Sequence, residues 1–315
     1  MGLIIVTGGA GFVGGNIVRA LNAAGTSDIL VVEDLSHSDK RAQLEDCRIE
    51  DLIDRREFLK RIAGNGLGRI EAVFHQGACT DTMEHDARLM MELNLDTSQA
   101  LLEWALPNGI PLVFASSAAV YGASTTFAEV AANEQPLNVY GESKLRFDHL
   151  VRRALHEATA TLVGLRYFNV YGPHEAHKGR MASVVYQMYG QIRETGTVRL
   201  FVGTGGYGDG EQRRDFVHVD DVVAVNLFFA RGPARHGIVN CGTGRSRSFN
   251  DVARALIAAH GSGNIRYVPL PDGLASRYQS FTEADLDGLR RLGYGAPFLD
   301  IEEGVRRYYA ALSGL

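Results

Sequence analysis

The chain has few cysteines and no long apolar segment. Only three of its 315 residues are cysteine, and Cys47, Cys79 and Cys241 are widely spaced. Without a CxxC pair, the sequence excludes the usual zinc and dithiol motifs and indicates a reducing compartment. No stretch approaches the roughly 18 apolar residues of a membrane-spanning helix, and the first apolar run is too short for a signal peptide. We therefore expect a cytoplasmic protein without a membrane partner.

The chain also lacks a strong excess of charge of either sign. Its 32 Lys and Arg residues stand against 37 Asp and Glu residues, which gives a formal net charge of −5. Because proteins that bind nucleic acid usually carry a basic face, this balance argues against a nucleic-acid partner. With no internal repeat and no low-complexity linker, a chain of this length can form a nucleotide domain and a smaller second lobe.

Glycine, in contrast, is abundant, and four glycines near the N-terminus form a nucleotide-binding pattern. The apolar run 3–6 is typical of a strand, and it leads through GGAGFVG at 8–14 into an amphipathic segment, 12–24. In this pattern the glycines permit a tight turn and bring the backbone close to a pyrophosphate at a helix N-terminus. The spacing therefore predicts a dinucleotide site that includes Gly8, Gly11 and Gly14.

The residues after the second predicted strand, 29–32, bear on which dinucleotide is bound. Glu33 and Asp34 follow it, about twenty residues after the glycines, where an acid suits the free ribose hydroxyls of NAD. Lys40 and Arg55 come later and could instead accommodate the 2′-phosphate of NADP. We expect NADP, with NAD as the alternative.

Strand-like and helix-like segments alternate up to about residue 170. The further predicted strands are 72–75, 112–115 and 162–165, and helical patterns such as 87–106 and 144–158 lie between them. Such alternation predicts an α/β fold with a Rossmann-type doubly wound parallel sheet. Ligands of these sheets bind beyond the carboxyl ends of the strands.

The chain divides into two parts on the same evidence. Residues 1–170 are predicted to form the dinucleotide-binding Rossmann domain. After about residue 175 the alternation loosens and glycine-rich segments appear. We therefore expect 171–315 to form mainly a smaller C-terminal α/β lobe that binds substrate, with some segments returning to the first domain.

A Tyr-x-x-x-Lys pair indicates proton-transfer chemistry. Tyr140 and Lys144 would lie on one face of a helix. A phenol is a poor base at neutral pH, but a neighbouring ammonium favours the phenolate. Ser117, at the end of the predicted strand 112–115, could hold the same alcohol oxygen. Taken alone, the Tyr-x-x-x-Lys spacing occurs by chance on many helices, usually as two solvent-exposed side chains.

Several segments together resemble the extended short-chain dehydrogenase/reductase superfamily over nearly the whole chain. They are TGGAGFVG at 7–14, HQGA at 75–78, SSAAVYG at 116–122, YGESK at 140–144 and RYFNVYGP at 166–173. Two narrower segments, HKGRMASV at 177–184 and RYQSFTEADL at 277–286, are similar to those of the epimerases that act on ADP-linked heptoses.

The resemblance implies an isomerase that inverts C6 of ADP-D-glycero-β-D-manno-heptose for the lipopolysaccharide inner core. A hydride would leave C6 for the dinucleotide and return to the other face of a transient ketone. The resemblance assigns the hydroxyl proton to Tyr140, a supporting cation to Lys144, a hydrogen bond to Ser117 and a second acid/base role to Lys178. It also implies a homo-oligomer, a pentamer in relatives.

Ligand contacts carry over from the resemblance residue by residue. The cofactor set comprises Gly8, Gly11, Phe12, Val13, Gly14, Glu33, Asp34, Lys40, Arg55, Gln76, Gly77, Ala78, Cys79, Thr80, Asn94, Lys144 and Val170. The substrate set comprises Ser117, Asn169, Arg180, Gln187, Phe201, Val202, Gly203, Thr204, Arg214 and Tyr278. Arg214 suits the diphosphate because a guanidinium can bond phosphate oxygens in pairs; an ion pair with Asp215 or Asp220 is the alternative.

The sequence departs from the pattern of these relatives at several points. Glu33-Asp34 stands where they carry Asp-Asn, Arg180 and Gln187 replace small residues or His, and the segment 203–212 is longer. No metal is expected, since no carboxylate or cysteine completes a plausible metal set with His174 and His177, and hydride chemistry needs no metal.

Two other functions remain open. One is a different nucleotide-sugar enzyme, either a UDP-hexose 4-epimerase or a 4,6-dehydratase. Ala118-Ala119 stand where a dehydratase would place its acidic pair, which argues against that reaction. The other is a non-catalytic NADP sensor, which would normally lose Tyr140 or Lys144.

Overall fold

The computed structural model describes residues 2–36, 40–64, 66–81, 86–271 and 279–314. Its strands are β1 (Leu3–Thr7), β2 (Ile29–Glu33), β3 (Asp51–Asp54), β4 (Ile70–His75), β5 (Leu112–Ser117), β6 (Leu162–Tyr167), β7 (Asn169–Tyr171), β8 (Thr197–Phe201), β9 (Arg213–His218), β10 (His236–Cys241), β11 (Ser246–Ser248) and β12 (Asn264–Val268). Its α-helices are α1 (Phe12–Ala23), α2 (Arg55–Ala63), α3 (Ala87–Met91), α4 (Thr97–Ala105), α5 (Val139–Ala154), α6 (Val184–Thr195), α7 (Val219–Ala230), α8 (Phe249–His260), α9 (Asp287–Arg291) and α10 (Ile301–Ser313).

A parallel seven-stranded sheet organises the larger part of the molecule. Its strand order is β10-β6-β5-β4-β1-β2-β3, and every neighbouring pair is parallel. Strand order reverses between β1 and β4, which opens a crevice at the carboxyl ends of these two strands. This architecture confirms the predicted α/β fold class, and it places the predicted motifs at one edge of the sheet.

Helices cover both faces of the sheet, which explains why its central strands are almost entirely apolar. On one face, Ile17 of α1 and Phe229 of α7 pack against β1 and neighbouring strands. On the other face, Phe58 of α2, Leu101 of α4 and Phe147 of α5 form a second buried cluster. No helix within the described residues is long and apolar enough to cross a membrane.

The remaining strands build a smaller lobe. β11, β9 and β7 form one short sheet, and β12 pairs with β8 in another. Buried side chains of α6, α8 and α10 pack against these strands. Between β9 and β11 the chain returns to the large sheet, where β10 pairs with β6 in parallel.

Two predicted helices differ from the observed ones. The expected helix 87–106 is interrupted by a π-helical turn, Glu92–Asp96. The expected helix 144–158 is α5, which begins earlier because the side chain of Asn138 caps it by accepting a hydrogen bond from the Gly141 backbone N–H at 2.8 Å. The earlier start makes Tyr140 part of the first turn of α5.

Candidate active site

The glycine pattern forms a cradle between β1 and α1. Gly8 adopts a φ of +65°, and a Cβ there would lie 2.6 Å from the backbone N of Gly77. A Cβ at Gly14 would lie 2.2 Å from the carbonyl oxygen of Gly8. α1 then begins at Phe12, and its N-cap, Gly11, offers no side chain to the first N–H groups of the helix. A cradle of this kind suits a pyrophosphate at the positive end of the helix.

A cleft of about 360 Å³ runs from this cradle past the ends of β4, β5 and β6. Most of the predicted cofactor residues line it: Gly8, Gly11, Phe12, Val13, Gly14, Glu33, Lys40, Gln76, Gly77, Ala78, Thr80, Lys144 and Val170. An adjoining cavity of about 300 Å³ adds Asp34, Arg55 and Cys79. The two cavities together therefore bring sixteen of the seventeen residues of that set to ligand-accessible surface.

Asn94 is the residue of that set that lies behind the surface. Its side chain is 1% exposed and accepts a hydrogen bond from the Cys79 backbone N–H at 2.7 Å. Its amide group donates to the Cys79 carbonyl at 3.0 Å and to Ser143 at 3.1 Å. Asn94 thus fixes the loop after β4 against α5, so its effect on a cofactor in this cleft is through the position of Cys79.

The acid at the end of β2 is paired with a lysine. Glu33 accepts hydrogen bonds from the backbone N–H groups of Ala10, at 3.2 Å, and Asp34, at 3.0 Å. The ammonium of Lys40 lies 3.6 Å from the same carboxylate. Arg55, in the adjoining cavity, donates to Thr97 at 2.9 Å. The part of the cleft beside the end of β2 therefore carries carboxylates and cations together.

Tyr140, Lys144 and Ser117 all line the cleft. Burial raises the pKa of Tyr140, and a hydrogen bond with Ser117 acts in the opposite direction. Lys144 donates to the Ala115 carbonyl at 2.9 Å, and burial lowers the pKa of its ammonium to about 8. Ser117 is thus hydrogen-bonded to Tyr140, and Lys144 is held at the end of β5 in the same cleft, where burial makes charge interactions strong.

Lys178 lines the same cleft. It belongs to the helical turn Ala176–Met181, which precedes α6. Its ammonium lies 5.2 Å from the centre of the Phe12 ring, a cation–π distance. Burial lowers the pKa of Lys178, and the charge of Glu175 acts against this shift. Lys178 thus lines the same cleft as Tyr140 and Lys144.

A buried ionic network supports the β5 side of the cleft. Arg166, which is fully buried, donates to Asp148 through Nε at 3.0 Å and Nη2 at 2.9 Å, and it also pairs with Glu134 at 2.5 Å. Ser116, next to Ser117, donates to the same Asp148 carboxylate at 3.0 Å. Because Asp148 lies one turn after Lys144 on α5, this network fixes the helix against the end of β5.

Beyond Tyr140 and Ser117 the cleft opens into a cavity of about 310 Å³ between the two parts of the molecule. Asn169 and Arg214 line it, as expected for substrate contacts. Asp215 does not pair with Arg214 in the way considered above. Its buried carboxylate accepts hydrogen bonds from Thr243 and from two backbone N–H groups further along the chain.

The other predicted substrate residues in the described part of the chain do not line this cavity. Arg180 pairs with Asp81 at 2.7 Å, and Gln187 donates to the Gly179 carbonyl at 2.9 Å. Phe201 ends β8, and the adjoining residues Val202, Gly203 and Thr204 begin the long loop; none of the four is among the described residues that line the cavity. Tyr278 lies outside the described residues.

The structure adds site residues that sequence reasoning missed. Tyr167, Phe168 and His177 line the cleft, and the cavity beyond it includes Leu137, Asn138, Gln279 and Thr282. Tyr167 donates to Gln76 at 2.8 Å, which links the ends of β6 and β4. A signal was present for Tyr167 and Phe168, since they directly follow a predicted strand. Gln279 and Thr282 belong to the segment 277–286 that the resemblance singled out, although Tyr278 was the only residue of it predicted to contact substrate.

Comparisons with known proteins agree with this geometry. Residues 4–242 match the model of the NAD dependent epimerase/dehydratase family. The chain is 53% identical over 312 residues to an ADP-L-glycero-D-manno-heptose-6-epimerase from Alkalilimnicola ehrlichii, covering 99% of this chain and 98% of that one.

Solved structures give the same result. An ADP-L-glycero-D-manno-heptose-6-epimerase from Helicobacter pylori is 30% identical, with a TM-score of 0.84 over 100% of this chain and 97% of that one. A UDP-glucose 4-epimerase from Thermus thermophilus, in complex with NAD, is 29% identical, with a TM-score of 0.79 over 99% of both chains. The resemblance inferred from the motifs is thereby confirmed, and the chain belongs to the NAD dependent epimerase/dehydratase family.

Proposed function

We propose that this protein is an isomerase that converts ADP-D-glycero-β-D-manno-heptose to its L-glycero epimer at C6. One observation carries the proposal: a single cleft that includes the dinucleotide cradle is also lined by Tyr140, Lys144, Ser117 and Lys178. The relative at 53% identity bears the name of the same enzyme. In the cell this reaction would serve synthesis of the lipopolysaccharide inner core, in the cytoplasm.

The side chains of the cleft supply the proton transfers. When bound, the dinucleotide supplies a reversible acceptor for the hydride at C6. Tyr140 exchanges the proton of the C6 hydroxyl, and the Lys144 ammonium and Ser117 hydroxyl stabilise the phenolate that this exchange requires. Once the ketone has rotated in the site, its oxygen occupies a different position, and Lys178 exchanges the proton there. No net oxidation results.

Arg214 and Asn169 support recognition of the nucleotide-linked part. Arg214 is 8% exposed and its guanidinium lies 5.9 Å from the centre of the Phe249 ring, which limits its orientation. A preoriented guanidinium can bond two phosphate oxygens of a diphosphate. Asn169 is exposed on the same cavity and offers an amide to a sugar hydroxyl.

NADP is the proposed cofactor, with NAD as the alternative. Lys40 and Arg55 support NADP because both line the cavity next to the cradle, where a 2′-phosphate would need cations. Glu33 would favour NAD if its charge were not already engaged by Lys40. Competitive binding of NADP and NAD to the purified protein, measured by calorimetry, decides between them.

We also propose a homo-oligomer, with a pentamer as the expected size, on the resemblance alone. Analytical ultracentrifugation of the purified protein measures it directly, and a monomer at micromolar concentration would contradict the proposal.

Substrate conversion is the test of the proposed activity. The protein is incubated with ADP-D-glycero-β-D-manno-heptose, and with UDP-galactose in parallel, while NMR follows the sugar signals. We expect inversion at C6 of the heptose and no change in UDP-galactose. Conversion of UDP-galactose alone would replace the proposal by a hexose 4-epimerase, and turnover of neither would favour a sensor.

A further inference from the structure

A buried carboxylate closes the segment that carries Lys178. Glu175 is 0% exposed. Its carboxylate accepts hydrogen bonds from the Ser183 backbone N–H at 2.5 Å, from the Ser183 hydroxyl at 2.6 Å and from the Gly172 N–H at 3.4 Å. One side chain therefore ties the beginning of the segment 172–183 to its end. The resulting closed segment presents Lys178 at its outer turn.

The same segment is attached to the helix of the glycine cradle. The amide group of Asn16, on α1, donates to the Pro173 carbonyl at 3.0 Å and to the Phe12 carbonyl at 2.9 Å. Phe12 is also the ring over which the Lys178 ammonium lies. The backbone N–H of Lys178 donates to the Glu175 carbonyl at 2.9 Å, so Lys178 and Glu175 belong to one turn.

We propose that Glu175 is a positioning residue for Lys178: it closes the segment 172–183 and thereby sets the place and the electrostatic surroundings of the lysine in the cleft. The proposal rests on the proposed function, in which Lys178 exchanges a proton. Glu175 does not reach the reacting atoms itself, because its two oxygens are used by Ser183 and Gly172. Misplacing a reacting group by about 1 Å can reduce a rate about a hundredfold.

The charged and titratable groups around Lys178 come from several elements. Glu175, His174, His177 and Arg180 belong to its own segment, and Asp81, which pairs with Arg180, comes from the loop after β4. The same cleft is also lined by Tyr140 and Lys144 of α5 and by Glu33 and Lys40. Among these, Glu175 is the group whose charge raises the pKa of Lys178 against the effect of burial.

Two variants separate the hydrogen bonds of Glu175 from its negative charge. Glu175→Gln removes the charge and offers an amide donor where Ser183 already donates, so kcat should fall by about 10- to 100-fold. Ser183→Ala removes one hydrogen bond and keeps the charge, so kcat should fall less. Glu194→Gln is the matched control, since Glu194 is exposed on α6, and its kcat should stay at the wild-type value.

Titration of Lys178 is the readout that a purely structural role would not move. NMR of ¹³C-methylated lysines, assigned with Lys178→Met, should give a lower pKa for Lys178 in Glu175→Gln than in wild type, and an unchanged pKa in Ser183→Ala. The limb of the kcat–pH profile that depends on Lys178 should move to lower pH with it. Thermal unfolding and cofactor affinity check that both variants are folded.

The outcomes are distinct. A wild-type pKa of Lys178 in Glu175→Gln overturns the proposal, as does a wild-type kcat in both variants. If Glu175→Gln does not fold, a wild-type kcat in Ser183→Ala overturns it alone. If the wild-type protein epimerises nothing, the proposed function fails, and the titration still decides whether Glu175 controls Lys178.

Discussion

Gly14→Ala tests the packing of the cradle most sharply. The added Cβ would lie 2.2 Å from the Gly8 carbonyl oxygen and 3.0 Å from the Gly9 Cα. A carbon and an oxygen normally approach to about 3.3 Å, so α1 and the loop before it must separate by about 1 Å. Overpacking of this kind costs about 1–3 kcal/mol. If this free energy is lost from cofactor binding rather than from folding, cofactor affinity drops about 5- to 150-fold.

Calorimetric titration with NADP and with NAD measures the loss. Gly15→Ala is the closest control, because its Cβ would meet the flexible end of Arg19 at 3.0 Å and the Gly9 carbonyl oxygen at 3.3 Å. A second control, Gly190→Ala in α6, has nothing within 4 Å and should stabilise the protein by about 0.5–1 kcal/mol. Equal affinities for Gly14→Ala and Gly15→Ala would refute the packing interpretation.

Three further predictions concern charged groups. Arg166→Met leaves Asp148 and Glu134 without their buried partner and should destabilise the protein by about 3–5 kcal/mol in thermal unfolding; a loss below about 1 kcal/mol would contradict this. Because burial lowers the pKa of Lys144 to about 8 from 10.5, the native state holds fewer protons than the unfolded chain between these values. Stability relative to Lys144→Met should therefore rise with pH in that window, by about 1.4 kcal/mol per unit at most, and a constant difference in Tm would argue against it. Lys40→Met should weaken NADP binding and leave NAD binding nearly unchanged, whereas equal losses would exclude a specific phosphate contact.

The cofactor half of the site was predictable because it is built from the ends of parallel strands. Local patterns alone predicted that the glycines after β1, Glu33 at the end of β2 and the segment after β4 follow or end strands, as they do in the structure. Parallel strands bring their carboxyl ends to one edge of a sheet, regardless of the length and sequence of the connecting loops. Asn94 shows the limit, since its place behind the Cys79 loop depends on a π-helical turn that no sequence pattern indicated.

The substrate half was less predictable because its residues come from distant segments. Ser117, Asn169 and Arg214 meet in one cavity, but Phe201, which was expected beside them, ends an edge strand of a separate small sheet. The start of α5 was also predicted too late. The signal was Asn138, whose side chain caps the helix, and a helix start read from hydrophobic periodicity alone does not include it.

The fate of the C6 hydrogen tests the central claim most directly. ADP-D-glycero-β-D-manno-heptose carrying deuterium at C6 is incubated with the protein in ordinary water, and NMR and mass spectrometry follow the product. Removal and return of a hydride within the closed cleft predicts an L-glycero product that keeps its deuterium, and Tyr140→Phe should abolish its formation. Exchange of the deuterium for solvent hydrogen during inversion would contradict the account, because the C6 hydrogen would then leave as a proton.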